Sequence, residues 1–127
     1  GQPVTTLRSG DTLRIHLEIN SHLRIESPVV RIQMETVSGE LVWSTSTQRG
    51  AATLRVLDGP ATAELAIPSL PLAEGTYYLS AAITDATGNT EFDHCQHWAK
   101  IQIVDGPVGD GGVVAIPSVW SIGRQRT

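Results

Sequence analysis

The densest group of reactive side chains lies near the end of the chain, where a carboxylate, a thiol and imidazoles come within a few residues of one another. Alternate side chains of a strand share a face, so Asp93, Cys95 and His97 would point to one side, and Zn²⁺ accepts these ligand types. Three ligands this close on one strand seldom close a tetrahedral site, and a distant fourth, His16 or His22, would be needed. We therefore expect Cys95 to be a small, buried hydrophobic residue. We predict no bound metal and no other cofactor.

A hydrolase would need a nucleophile held against a base, or two carboxylates at a set separation. Glu18 and Glu35 lie on the polar sides of two alternating runs, and they form a carboxylate pair only if those runs are neighbouring strands. Opposed acids on a sheet are more often solvated, and here Arg14 and Arg31 flank them. We therefore predict no catalytic residues and no enzyme activity in this chain.

The glycine-rich segment at residues 106–112 does not have the pattern of a nucleotide-binding loop. A P-loop needs a lysine after its glycines to hold phosphate, whereas this segment has no lysine and contains Asp110. We interpret the segment as a flexible hinge. We therefore expect no nucleotide-binding site in this chain.

Polar residues that alternate with apolar ones along several predicted strands build a sheet face that suits a sugar ligand. Glycans present hydroxyls, which need donors and acceptors, and apolar C–H faces, which stack on aromatic rings. Charged, amide and imidazole groups beside aromatic rings meet both needs. We predict a carbohydrate-binding surface formed by His16, Glu18, Arg31, Gln33, Glu35, Tyr78 and Trp98. An ordinary solvated strand face is the alternative interpretation.

The three tryptophans have different expected roles. Trp43 shares a predicted face with Leu41, so we expect it in the core. Trp98 alternates against Ala99 and Ile101, which places it off the core face and makes it a candidate for stacking on sugar. Trp120 lies in the last apolar piece of the sequence, where burial by its own domain or by a partner chain is expected.

Composition excludes several classes of function. Thirteen acidic against nine basic residues give a net charge of −4, and Lys100 is the single lysine, so the clustered cations that bind nucleic acid are missing. No apolar run approaches the roughly 18 residues of a membrane-spanning helix. One cysteine forbids an internal disulfide, which weakly favours a reducing compartment.

A period of two in hydrophobicity runs along most of the 127 residues. Leu13, Ile15 and Leu17 alternate with polar residues, and similar runs follow Pro28 and Gly75, with turn residues between them. No window carries a helical stripe with caps. The pattern predicts an all-β fold of one domain, an antiparallel β-sandwich of the jelly-roll or immunoglobulin-like kind with seven to nine strands.

Several segments, in this order and spacing, resemble a known family. The most specific is the Leu-x-Leu-x-x-Gly-x-Tyr pattern at residues 70–77, followed late in the chain by glycine and Trp120. The sequence resembles the Wzt-type C-terminal domain, the polysaccharide-binding module of ATP-binding proteins in O-antigen ABC transporters. One departure is that Ile101 and Ile103 stand where members often carry phenylalanine. The other segments that carry the resemblance are residues 9–13, 28–32, 38–45, 93–104 and 112–114.

The resemblance implies a non-catalytic module that binds an O-antigen-like glycan for export. It implies a location at the cytoplasmic face of the cell membrane, with the ATPase domain and the membrane subunit of the transporter as partners through the parent chain. We expect residues 1–127 to be one domain excised from a longer protein, and residues 113–122 to be a terminal strand swapped into a homodimer. The alternative is an immunoglobulin-like structural or adhesion module of a surface protein.

Overall fold

The computed structural model describes residues 4–48, 55–106, 111–115, 118 and 121, and within them every regular element is a strand. No described helix is long and apolar enough to cross a membrane. The strands are β1 (Val4–Arg8), β2 (Leu13–Glu26), β3 (Val29–Thr36), β4 (Leu41–Ser46), β5 (Val56–Ile67), β6 (Gly75–Thr84) and β7 (Glu91–Val104). The predicted all-β class is confirmed.

The seven described strands form two sheets. The larger has five strands in the order β1-β7-β6-β3-β4, and the smaller pairs β2 with β5. Neighbouring strands are antiparallel except β1, a strand that the sequence analysis did not predict, which runs parallel to β7 along the edge.

Two turns that contain glycine connect neighbouring strands of the larger sheet. Gly39, at φ +93°, turns β3 into β4, and its N–H donates to the carbonyl of Thr36. Gly88, at φ +79°, lies in the turn between β6 and β7. Both glycines take the left-handed conformation that other residues adopt only at a cost. The two hairpins follow from turn chemistry that is visible in the sequence.

The core lies between the sheets, where the apolar side of each alternating run is buried. On β6, Tyr77 and Leu79 are 3% and 2% exposed. Met34 on β3 and Ile101 on β7 are each 1% exposed, and Ile15 of the smaller sheet belongs to the same cluster. This burial matches the period of two and orients the remaining side chains of the larger sheet outward.

The two-sheet arrangement decides a strand pairing that the sequence left open. Glu18 and Glu35 could form a carboxylate pair only on neighbouring strands, but β2 pairs with β5, whereas β3 pairs with β4 and β6. Ser27, at φ +50°, and the buried Pro28 lead the chain from one sheet into the other. Proline lacks the N–H that would continue a strand ladder. The carboxylate pair of a hydrolase is therefore not formed by these two residues.

The core predicts a clear contrast between two leucines. Leu79→Ala removes a side chain that is 2% exposed, whereas Leu23→Ala removes one that is 67% exposed. We expect the first change to lower the free energy of unfolding by about 2–5 kcal/mol, and the second to change it by about 0.5 kcal/mol or less. Urea denaturation followed by tryptophan fluorescence measures both. Equal losses would contradict the described core.

Candidate functional site

A group of polar and aromatic side chains lies on the outward side of the larger sheet, here called the outer face. Strand register places Glu35 of β3, Tyr78 of β6 and Lys100 of β7 directly beside one another across the sheet. Two residues along, Gln33 lies beside Ser80, and Arg31 lies beside Ala82. Four of the seven predicted carbohydrate-binding residues thus share one surface: Arg31, Gln33, Glu35 and Tyr78.

An irregularity in β7 shapes the centre of this face. Leu79 pairs with Ala99 and Ala81 pairs with Cys95, so three residues of β7 stand opposite the single residue Ser80. Such a β-bulge re-aims side chains that regular alternation would have sent to the other side. The middle residue, His97, has φ +49°, a left-handed conformation that costs about 1–3 kcal/mol outside glycine.

The bulge brings His97 to the outer face. Its imidazole stacks on the Tyr78 ring, with centroids 4.7 Å apart and planes inclined by 22°. Its Nε2 lies 3.5 Å from Oε2 of Glu35, and its backbone N–H donates to Oγ of the buried Ser80 at 2.9 Å. His97 was weighed only as a metal ligand in the sequence analysis. The residues now gathered here are Tyr78, His97, Glu35 and Ser80.

The same bulge sends Trp98 the other way. Trp98 is half-buried, packs against the core cluster and lines a partly open pocket of about 270 Å³ beside Leu17 and Val30. The prediction that it lies off the core face is therefore wrong, because regular alternation does not continue through the bulge. The predicted position of Trp43 is wrong as well. It was expected in the core but stands on the edge strand β4 with 38% of its surface exposed.

Two of the predicted site residues lie on the smaller sheet rather than on the outer face. His16 and Glu18 are exposed on β2, opposite Glu64 and Thr62 of β5. Their neighbours Ile15 and Leu17 face the core, so these two polar side chains point away from the larger sheet. The structure does not bring them together with Arg31, Gln33, Glu35 and Tyr78.

A shallow depression adjoins the aromatic pair on the outer face. It has a volume of about 220 Å³, and its walls include Arg31, Gln33 and Ser80 on one side and Glu91 and His94 on the other. Nδ1 of His94 lies 3.4 Å from Oε1 of Glu91. The depression therefore offers guanidinium, amide, hydroxyl, imidazole and carboxylate groups in one open concavity, the mixture of donors and acceptors that a polyhydroxylated ligand requires.

The turn between β6 and β7 borders this depression through Gly88. The carboxylate of Asp85 organises the turn by accepting the Thr87 hydroxyl at 2.7 Å and the backbone N–H groups of Thr87 and Asn89. The hydrogen bond from Thr87 is the largest cause that lowers the pKa of Asp85 below its ordinary value. An ionised Asp85 thus holds the rim of the depression in one conformation.

The candidate metal cluster does not form a site among the described residues. No three His, Cys, Asp or Glu side chains in that part of the chain are grouped to hold an ion. Cys95 is exposed on β7, rather than a buried apolar residue, and the bulge separates its position from that of His97. The absence of a bound metal and of a cofactor stays a prediction.

The described part of the predicted terminal strand is short. The backbone of Val113 and Ala115 bonds with the connector before β6, Ala73 donating to Val113 at 2.8 Å and Ala115 donating to Pro71 at 2.8 Å. Leu72 and Val114 form an isolated antiparallel bridge. Trp120 and Ile122, as well as most of the glycine-rich segment, lie outside the described residues.

The changed position of Trp98 gives a direct test. Trp98→Ala should lower the free energy of unfolding by about 2–4 kcal/mol, since a half-buried ring that contacts the core is removed. Trp43→Ala, with the ring more exposed on an edge strand, should cost about 1 kcal/mol or less. Thermal unfolding by circular dichroism compares the two. A larger loss for Trp43→Ala would contradict the bulge.

One family model and one solved structure agree with the fold. The family model described as the Wzt C-terminal domain matches residues 1–116. The crystal structure of the C-terminal domain of Wzt is similar at a TM-score of 0.75 and 17% identity, covering 93% of this chain and 72% of that one. A CARDB domain from Pyrococcus furiosus, in complex with di-metal ions, has a TM-score of 0.42 and 14% identity, covering 81% and 86%. No curated protein sequence matches the chain.

Proposed function

This chain belongs to the Wzt C-terminal domain family, and on that ground we propose that it is a non-catalytic module that binds a surface polysaccharide for export by an ABC transporter. In this proposal the domain follows an ATPase domain in a longer parent chain. It works at the cytoplasmic face of the membrane, and its partners are the glycan, a second copy of itself and the membrane subunit of the transporter.

The observation that carries the proposal is the aromatic pair of Tyr78 and His97 beside an open polar depression. A stacked pair leaves a planar surface on which the apolar C–H face of a sugar ring can rest, for about 1 kcal/mol per contact. Glu35 lies next to the imidazole, and Arg31 and Gln33 line the depression, so donors and acceptors surround the rings. Stacking surface and hydrogen-bonding groups are the two features that sugar recognition needs.

The position of the site in the sheet supports recognition of a long ligand. β6 and β3 are the third and fourth of the five strands, and the depression extends from them to β7. Strands about 4.8 Å apart give the five-stranded sheet a width of about 19 Å, more than one sugar ring occupies. Individually weak contacts along a polymer add up, and they release it readily once some are broken.

Variants of the aromatic pair test the proposal. Tyr78→Ala and His97→Asn each remove one ring, and asparagine tolerates the left-handed backbone of position 97. We expect each change to weaken binding of the surface polysaccharide of the source organism about five-fold, the equivalent of about 1 kcal/mol. Isothermal titration calorimetry gives the affinities, after circular dichroism has shown that the variants fold.

His16→Asn is the matched control, since His16 is exposed on the other sheet. Its affinity should equal that of the unaltered protein. If His16→Asn weakens binding while Tyr78→Ala and His97→Asn do not, the glycan site lies on the smaller sheet. If the unaltered protein does not bind the polysaccharide, the proposed function is wrong.

The proposed homodimer has a separate test. We propose that the strand pairing of Val113–Ala115 with the connector before β6 is exchanged between two chains, which would also protect exposed backbone at a sheet edge. The full chain should then be dimeric by light scattering. A chain that ends at Gly109 should be monomeric and less stable, because it lacks this pairing and the contact of Val113 with the core. A monomeric full chain would contradict the exchange.

A further inference from the structure

Two basic side chains of the larger sheet differ from the other strand arginines in their surroundings. At the edge of that sheet, Arg8 lies 3.5 Å from Asp105. On the smaller sheet Arg14 lies 3.3 Å from Glu64, and Arg24 lies within 4.0 Å of Glu26 and Asp58. On the outer face of the larger sheet, Arg31 and Lys100 have no carboxylate partner among the described residues. Both are half-buried rather than fully solvated.

The acidic side chains of the outer face are already engaged. Glu35 lies beside His97 at 3.5 Å, and Glu91 lies beside His94 at 3.4 Å. Neither carboxylate is described within 4 Å of Arg31 or Lys100. The face therefore presents two positive groups that an incoming ligand can neutralise, whereas its negative groups already have neighbours within the sheet.

We propose that the polysaccharide bound on this face is acidic, carrying carboxylate or phosphate groups along its chain. This rests on the proposed function and specifies its substrate class. Arg31 lies in the depression beside Gln33, where its guanidinium can hold a carboxylate or phosphate with two hydrogen bonds. Lys100 lies beside Tyr78, so a sugar stacked on that ring would bring an acidic substituent within reach of the ammonium.

The spacing of the two cations fits a polymer. Arg31 is four positions along β3 from Glu35, and Glu35 is two strands away from Lys100. Strand geometry puts the two Cα atoms about 16 Å apart. The two cations thus start from well-separated positions of the face, and each can bind an acidic group on a different residue of a polymeric ligand. The net charge of −4 does not prevent this contact, because physiological salt screens charges more than about 8 Å away.

The test uses the surface polysaccharide of the source organism in three forms: native, carboxyl-reduced and dephosphorylated. We expect one of the two treatments to weaken binding to the full chain at least ten-fold and thereby identify the acidic group. Arg31→Gln and Lys100→Gln should each weaken binding of the native polymer about five-fold, and the two effects should multiply because the sites are far apart. Arg14→Gln, on the smaller sheet, should leave binding unchanged.

The outcomes separate this inference from the proposed function. If the native polymer binds but neither chemical treatment nor either cation variant changes its affinity, the ligand is recognised as a neutral glycan. In that case the acidic class is overturned and the proposed function stands. If the native polymer does not bind the full chain, the proposed function fails, and the acidic class fails with it.

Discussion

The hydrogen bond from the His97 N–H to Oγ of Ser80 holds the arrangement on which the outer face depends. Ser80 is 2% exposed, and a buried N–H without an acceptor would cost about 1–3 kcal/mol. The serine hydroxyl accepts the N–H that a backbone carbonyl of β6 would accept in a regular ladder. For this reason β7 can place three residues opposite the single residue Ser80 of β6. With a regular ladder, His97 would face the core and Trp98 would face solvent.

The bulge marks the limit of what could be predicted from alternation. Where ladders are regular, the period of two placed the apolar sides of β2, β3 and β6 in the core, as Ile15, Met34 and Leu79 show. Alternation assumes one residue per ladder position, and that assumption fails between Cys95 and Ala99. His97 and Trp98 lie on the opposite faces to those expected because the His97 N–H bonds to Ser80. These two residues are 17 positions apart, so a local sequence pattern does not contain this contact.

Local patterns also did not determine which strands are neighbours in each sheet. The hairpin of β3 and β4 is encoded by the turn around Gly39, within the segment itself. The pairing of β2 with β5 instead joins Leu13 to Ile67, with the whole of β3 and β4 between them along the chain. His16 and Glu18 were therefore assigned to the polar surface of β3 from their residue types, although their strand belongs to the other sheet. The four residues on β3 and β6 share one surface because those strands are neighbours.

The location of the aromatic pair also determines how much ordering a ligand requires. Tyr78 stands on β6, flanked by β3 and β7, and its ring is already stacked on His97 before any ligand is present. A side chain that is immobilised in advance loses little rotamer freedom on binding, a loss that otherwise costs about 0.5–1.5 kcal/mol for each ordered side chain. The backbone strain at His97 belongs to the free energy of folding rather than to binding. The fold thus bears the cost of orienting the rings, so that weak contacts with the proposed sugar ligand would retain their full effect.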